Sequence, residues 1–91
     1  MTTEFALVGD IDVTNSADIG DQLCELVTSQ EAVVVVGSAV TFVESRGLAM
    51  MARVQRLAEE SGCDLSWRGF PLPVLRTMHV TGLDRYLRIE A

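Results

Sequence analysis

Four consecutive valines, Val33-Val34-Val35-Val36, constrain this chain more than any other feature. A run of β-branched residues that is apolar on both faces reads as a central, buried strand rather than an alternating edge strand. The run lies between two segments of helical periodicity. Before it, Ile19, Leu23, Leu26 and Val27 recur at helical spacing, with Asp18, Asp21, Gln22 and Glu25 on the opposite face. After it, Gly47, Met50, Met51, Val54, Leu57 and Ala58 form one apolar stripe, opposed by Arg46, Arg53, Arg56 and Glu60. A strand with an amphipathic helix on each side calls for parallel neighbours reached by right-handed crossovers.

The remaining segments extend that pattern. A first strand is predicted near Glu4–Val8, with Phe5 and Leu7 on one face. Asp12-Val13-Thr14-Asn15 offers caps for the first helix. Val40-Thr41-Phe42-Val43 leads into a second helix predicted over Ser45–Ser61, which Gly62 ends. A short strand over Asp64–Gly69 places Leu65 and Trp67 on one face. Pro71 and Pro73 mark the start of a third helix. Leu72, Leu75 and Met78 or His79 give it an apolar side, Gly82 stops it, and Tyr86–Ile89 is a last short strand. The order is β-α-β-α-β-α-β in a single domain, residues 1–91.

Composition removes several function classes. The longest unbroken apolar stretch, Ala32–Val36, is far short of the ~20 residues a membrane-spanning helix needs. Met1-Thr2-Thr3-Glu4 has neither the basic start nor the apolar core of a secretory signal. The net charge of −6 speaks against general nucleic-acid binding, which needs a basic footprint. The distribution says more than the sum. Residues 1–45 carry eight acidic groups and no basic one, whereas residues 46–91 carry all seven arginines, and the sign changes between Glu44 and Arg46. The chain has no lysine, which excludes Schiff-base chemistry and a P-loop lysine.

Few groups are available for chemistry. His79 is the single histidine, and no GxSxG, HExxH or P-loop pattern occurs. A Ser45–His79–Asp triad can be drawn, but no spacing supports it, so the chain is not expected to be an enzyme. Cys24 and Cys63 form no CxxC pair and no zinc spacing with His79, so two free thiols are expected, Cys63 the more buried. Met50 and Met51 read as core filler. The informative segment is Val40–Leu48, where Ser45 stands at the handover to an amphipathic helix. A helix N-terminus accepts either a capping hydroxyl or a phosphate, and both readings of Ser45 stand. Leu48 lies roughly 120° off the centre of the buried stripe, beside the small Ala49 and Ala52. That placement fits a shallow contact surface for another protein, and equally a single exposed leucine of the kind common on protein surfaces.

Taken in order, these segments resemble the STAS domain, the fold of bacterial anti-sigma factor antagonists. Gly9-Asp10-Ile11-Asp12 is similar to the family's Gly-Glu-Leu-Asp turn, and a helix of the spacing of Asn15–Thr28 follows. The valine strand leads to Val40–Leu48, similar to the family's Val-Thr-Phe-Ile-Asp-Ser-Ser-Gly-Leu segment. Gly62 and Gly82-Leu83-Asp84 match two later family positions. Three positions depart: Glu44 replaces the usual Asp, Arg46 the usual second Ser, and Val36 an acidic or Asn position. The family's first strand and last long helix have no counterpart, which leaves Glu4–Val8 as an expected exposed edge, prone to pairing with another chain.

The resemblance implies a small, mixed, mostly parallel sheet with amphipathic helices packed mainly on one face. It implies an anti-sigma factor antagonist. Such a protein binds an anti-sigma factor with serine-kinase activity and frees the sigma factor. Phosphorylation of the serine matching Ser45 stops binding, and a serine phosphatase restores it. The partner surface it implies comprises Asp10, Asp12, Glu44, Arg46, Gly47, Leu48, Ala49 and Ala52. No cofactor or metal, no direct nucleic-acid contact, no membrane insertion, a cytoplasmic location and a weak homodimer complete the expectation. The alternative is a stand-alone STAS subunit regulating the ATPase of a phospholipid-trafficking ABC transporter.

Overall fold

The computed structural model describes residues 1–90. The elements, in chain order, are β1 (Thr2–Ile11), α1 (Ser16–Ser29), β2 (Ala32–Val43), α2 (Ser45–Ser61), β3 (Asp64–Arg68), α3 (Leu72–Thr81), a 3-10 turn (Leu83–Arg85) and β4 (Ile89–Glu90). The strands lie in the order β1-β2-β3-β4 and every pairing is parallel. The sheet is therefore wholly parallel rather than mixed. A sheet that grows in one direction through right-handed crossovers must carry all its helices on one face.

That covered face is the core. Leu7, Val33, Val35, Leu65 and Trp67 point from the strands into one cluster with Leu23 and Val27 of α1, Met50, Met51 and Val54 of α2, and Val74 and Met78 of α3. The opposite face is lined by Thr2, Glu4, Val34, Ser66 and Arg68 among others. Ion pairs Arg68–Glu90, at 3.1 Å, and Arg88–Asp64 cross it. Parallel sheets are usually covered on both faces. Here polar side chains on the outer strands let one face meet water.

Several boundaries differ from the sequence reading. β1 runs on to Ile11, well past Val8. Val33, Val34 and Val35 are buried and Val36 is half-buried. β2 does not stop at Gly37 but continues to Val43. Gly37 is there because the ring of Phe70 lies where its Cβ would stand. In α2 the ends are as expected, with Gly62 at φ +74° closing the helix. Leu57 is only half-buried, however, while Gln55 is 6% exposed. The Gln55 side-chain oxygen accepts a buried hydrogen bond from Trp67 Nε1 at 2.8 Å. A buried indole N–H needs such a partner, so the polar residue belongs in the core. α3 buries Val74 and Met78, whereas Leu72 is 58% exposed. Of the expected strand over Tyr86–Ile89, only Ile89 is in β4, and Tyr86 is exposed.

β1 lies at the edge of the sheet, as expected, and pairs only with β2 among the described residues. Its register shifts twice, between Ala6 and Val8 and between Gly9 and Asp10.

Candidate functional site at the start of the second helix

β1 and β2 are parallel, so both run out at the same end of the sheet, and that is where α2 begins. Binding sites of open α/β sheets form at the carboxyl ends of strands. The backbone ties the three elements together: Glu44 N donates to Ile11 O at 3.0 Å. Gly47 makes the close approach. A Cβ there would lie 2.8 Å from Val43 Cγ1 and 2.9 Å from Ile11 Cγ2. Gly47 is accordingly buried beneath the first turn and is not a contact surface itself.

Ser45 is exposed and is the first helical residue, because Glu44 occupies the N-cap position. The Glu44 side chain makes no capping hydrogen bond. The first bond of the helix is Leu48 N to Glu44 O, at 3.0 Å. The N–H groups of Ser45, Arg46 and Gly47 thus keep no backbone acceptor among the described residues, which leaves the positive end of the helix dipole uncapped. The Ser45 hydroxyl does not close this end.

Around Ser45, Arg46 and Ala49 are exposed, Glu44 and Ala52 are half-buried, and Leu48 is half-buried against the core. Leu48 is therefore a shoulder of the surface rather than a fully exposed side chain. Asp10, near the end of β1, and Asp12, just past it, are both engaged. Asp10 Oδ1 accepts from the Thr41 hydroxyl at 2.5 Å. Asp12 Oδ1 accepts from Thr14 Oγ1 at 2.5 Å and from Thr14 N at 2.9 Å. The Thr14 hydroxyl, then its N–H, hold the Asp12 carboxyl below its ordinary pKa.

Two exposed apolar residues at this end escaped the sequence reading. Phe42 is 55% exposed and Val13 is 57% exposed. Phe42 lies opposite Asp10 in register, and Val43 opposite Ile11. Val40 and Val43 are both buried while Thr41 and Phe42 are both exposed, because the register shift between Gly9 and Asp10 interrupts the alternation of β2, and strand periodicity alone would have turned Phe42 inward.

The other chemical groups lie elsewhere. His79 Nδ1 is 2.8 Å from Asp84 Oδ2, an exposed pairing at the end of α3 that takes no part with Ser45. Cys24 and Cys63 are free, half-buried and buried respectively. Among the described residues no cluster of His, Cys, Asp and Glu could hold a metal ion, and no helix is long and apolar enough to cross a membrane.

The fold and this site can be compared with known proteins. No curated protein matches the chain. Solved structures do. The unphosphorylated anti-sigma factor antagonist SpoIIAA superposes with a TM-score of 0.80 at 14% identity, over 99% of this chain and 80% of that one. TM1081 of Thermotoga maritima, a putative anti-sigma factor antagonist, gives 0.81 at 19%, over 94% and 77%. The STAS domain of a SulP transporter from Vibrio cholerae gives 0.75 at 11%, over 97% and 71%. At these identities the likeness is one of fold. The family model described as "Mlab, STAS domain" matches residues 2–89. With nearly the whole length matched, and with the parallel sheet and its helices in the family's order, this chain belongs to the STAS domain family.

Proposed function

We propose that this protein is an anti-sigma factor antagonist that binds a kinase-type anti-sigma factor through the first turns of α2. Phosphorylation of Ser45 switches the contact off, and a serine phosphatase restores it. The observation that carries the reading is the state of Ser45. It is exposed, stands on the first turn of a long helix, and is not used as the cap. Exposed Phe42 and half-buried Leu48 flank it with apolar surface. The likeness of the fold to SpoIIAA supports the partner class. A phosphate adds about −1.5 to −2 charges, and next to Glu44 in an apolar contact it costs desolvation and repulsion. A coupling of 1–3 kcal/mol changes affinity about 5–150-fold.

The experiment is affinity capture from the native cell, followed by calorimetry with the captured anti-sigma factor. Ser45→Ala should bind like the parent chain and Ser45→Asp more weakly by about that factor. Equal affinities would sink the switch. Self-association through the β1 edge belongs to the same proposal. It should appear as a concentration-dependent mass in sedimentation that Ala6→Lys removes.

One finding favours a second reading. The matching family model is described by the name Mlab, and a transporter's STAS domain shares the fold. On that reading the same surface regulates the ATPase of a phospholipid-trafficking ABC transporter. Capture of an ABC ATPase in place of a kinase-type anti-sigma factor decides for it.

A further inference from the structure

We propose that the cleft between the first turns of α1 and α2 is an oxyanion site, built for one carboxylate or phosphate group. Ser16, Ala17, Arg46, Ala49, Met50 and Arg53 line it. Its volume is about 210 Å³. Clefts for drug-sized ligands run to about 300–1,000 Å³, so this one suits a single functional group.

Three independent features point to an anion. The first is a pair of guanidinium groups. Arg46 and Arg53 lie two turns apart on one side of α2, both exposed, and neither is within ion-pair distance of any carboxylate among the described residues. This occurs in a chain with 13 acidic residues. Arg53 reaches across to α1, where its guanidinium occupies the space a Cβ on Gly20 would take. Two such forks facing one cleft are suited to bidentate recognition of a carboxylate or phosphate.

The second feature is Ser16. It is 6% exposed and lines the cleft, yet its hydroxyl makes no hydrogen bond within the protein. The hydroxyl oxygen is not among the buried unpartnered atoms of the described residues, so it opens on the cleft, where a bound group would be its partner. The third is the start of α1. Its N-cap residue Asn15 makes no capping bond. The Asn15 amide is turned back instead, donating to Asp10 O at 2.7 Å and accepting from Asp12 N at 2.9 Å. The N–H groups of Ala17 and Asp18 are left without a backbone acceptor, since the first helical bond is Ile19 N to Asn15 O. Helix ends in this state favour anions. The Asp18 carboxylate shares the first turn and opposes this, but it is exposed and does not line the cleft.

Around α2 at 100° per residue, Ser45 stands about 40° from Ala49 and so borders the cleft. An acidic side chain of a protein docked on Ser45 would find these arginines, and so would a free phosphate compound. The shared chemistry is the oxyanion. The site does not depend on Ser45 being a switch.

The test uses the 91-residue chain alone, labelled with ¹⁵N and followed by two-dimensional NMR. It is titrated with inorganic phosphate, with N-acetylglutamate, and with chloride at matched ionic strength. The expected result is saturable displacement of the Ala17 and Asp18 amides and of the Arg46 and Arg53 side-chain signals by an oxyanion. Saturation by N-acetylglutamate identifies an acidic side chain as the natural source, and saturation by phosphate alone identifies a phosphate compound. Arg46→Gln and Arg53→Gln should each weaken binding about tenfold. Arg56→Gln, on the same helix but outside the cleft, should not. No saturation beyond the chloride control, or equal binding by the double Arg46→Gln, Arg53→Gln variant, overturns the proposal. No partner protein is present, so this site can fail while the Ser45 switch stands, and the reverse.

Discussion

The two sides of α2 obey different rules. On the inner side Met51 and Val54 are fully buried, and Gln55 is bonded to Trp67. On the outer side the Ser45 hydroxyl, the first-turn N–H groups and the guanidinium groups of Arg46 and Arg53 have no partner among the described residues. Native structures pair buried polar groups almost completely and leave unpaired ones where water or a ligand meets them. The contrast teaches that one helix both anchors the fold and presents its surface, and that the division runs along its length rather than across it.

The sharpest way to break this comparison is on the inner side. Met51→Ala should cost ~2–5 kcal/mol of stability in denaturant unfolding, because a fully buried side chain leaves a cavity. Ser45→Ala, at an exposed residue, should stay within about 0.5 kcal/mol. Similar costs for the two would mean that α2 does not divide as described. Next in size is Gln55→Leu, which strands the Trp67 N–H and should cost ~1–3 kcal/mol. Adding Trp67→Phe should recover part of that loss, since the indole N–H is then gone and only the longer Arg88 N–H contact to Gln55, at 3.5 Å, stays broken. Strict additivity of the two changes would show that the hydrogen bond does not couple them.

The smallest effect concerns Cys63. Burial, reinforced by the charge of Asp64, raises its thiol above the ordinary value of 9.0. A group whose pKa is higher in the folded state contributes stability that is present below the unfolded value and lost as pH rises through the folded one. Stability should therefore fall above pH 9.0 more steeply in the parent chain than in Cys63→Ala. At neutral pH a thiol reagent should label half-buried Cys24 before buried Cys63. Faster labelling of Cys63 would contradict its burial.

Much of the fold was legible because its signals are periodic. The stripe from Gly47 to Ala58 and the stop at Gly62 placed α2 at Ser45–Ser61, where the structure has it. The failures have local causes. Gly37 looked like punctuation, but it is a gap filled by Phe70, a residue of the β3–α3 connection. Periodicity cannot show such a long-range contact. Leu57, expected in the buried stripe, is half-buried, and Gln55, which the stripe did not include, is buried where it accepts from the Trp67 N–H. Within the site, Ser45 was found from its place in the chain, but its freedom from capping depends on Glu44 taking the N-cap. The Ser16 and Arg53 side of the cleft was invisible, since it requires knowing that α1 lies beside α2.

Thr2 meets Ala32, Ala32 meets Asp64, and Trp67 meets Ile89, so no strand waits for a partner more than one crossover away. During synthesis β1, α1 and β2 can assemble, and α2 can dock on them, while the remainder is still being added. Ser45, Asp10, Asp12 and the arginine cleft all belong to that first-made portion. The later elements close the core beneath Trp67 and complete the sheet. Changes in α3 and β4 therefore act on the stability of the domain, through Phe70, Val74 and Met78 in its core, while the recognition surface is built from elements made before them.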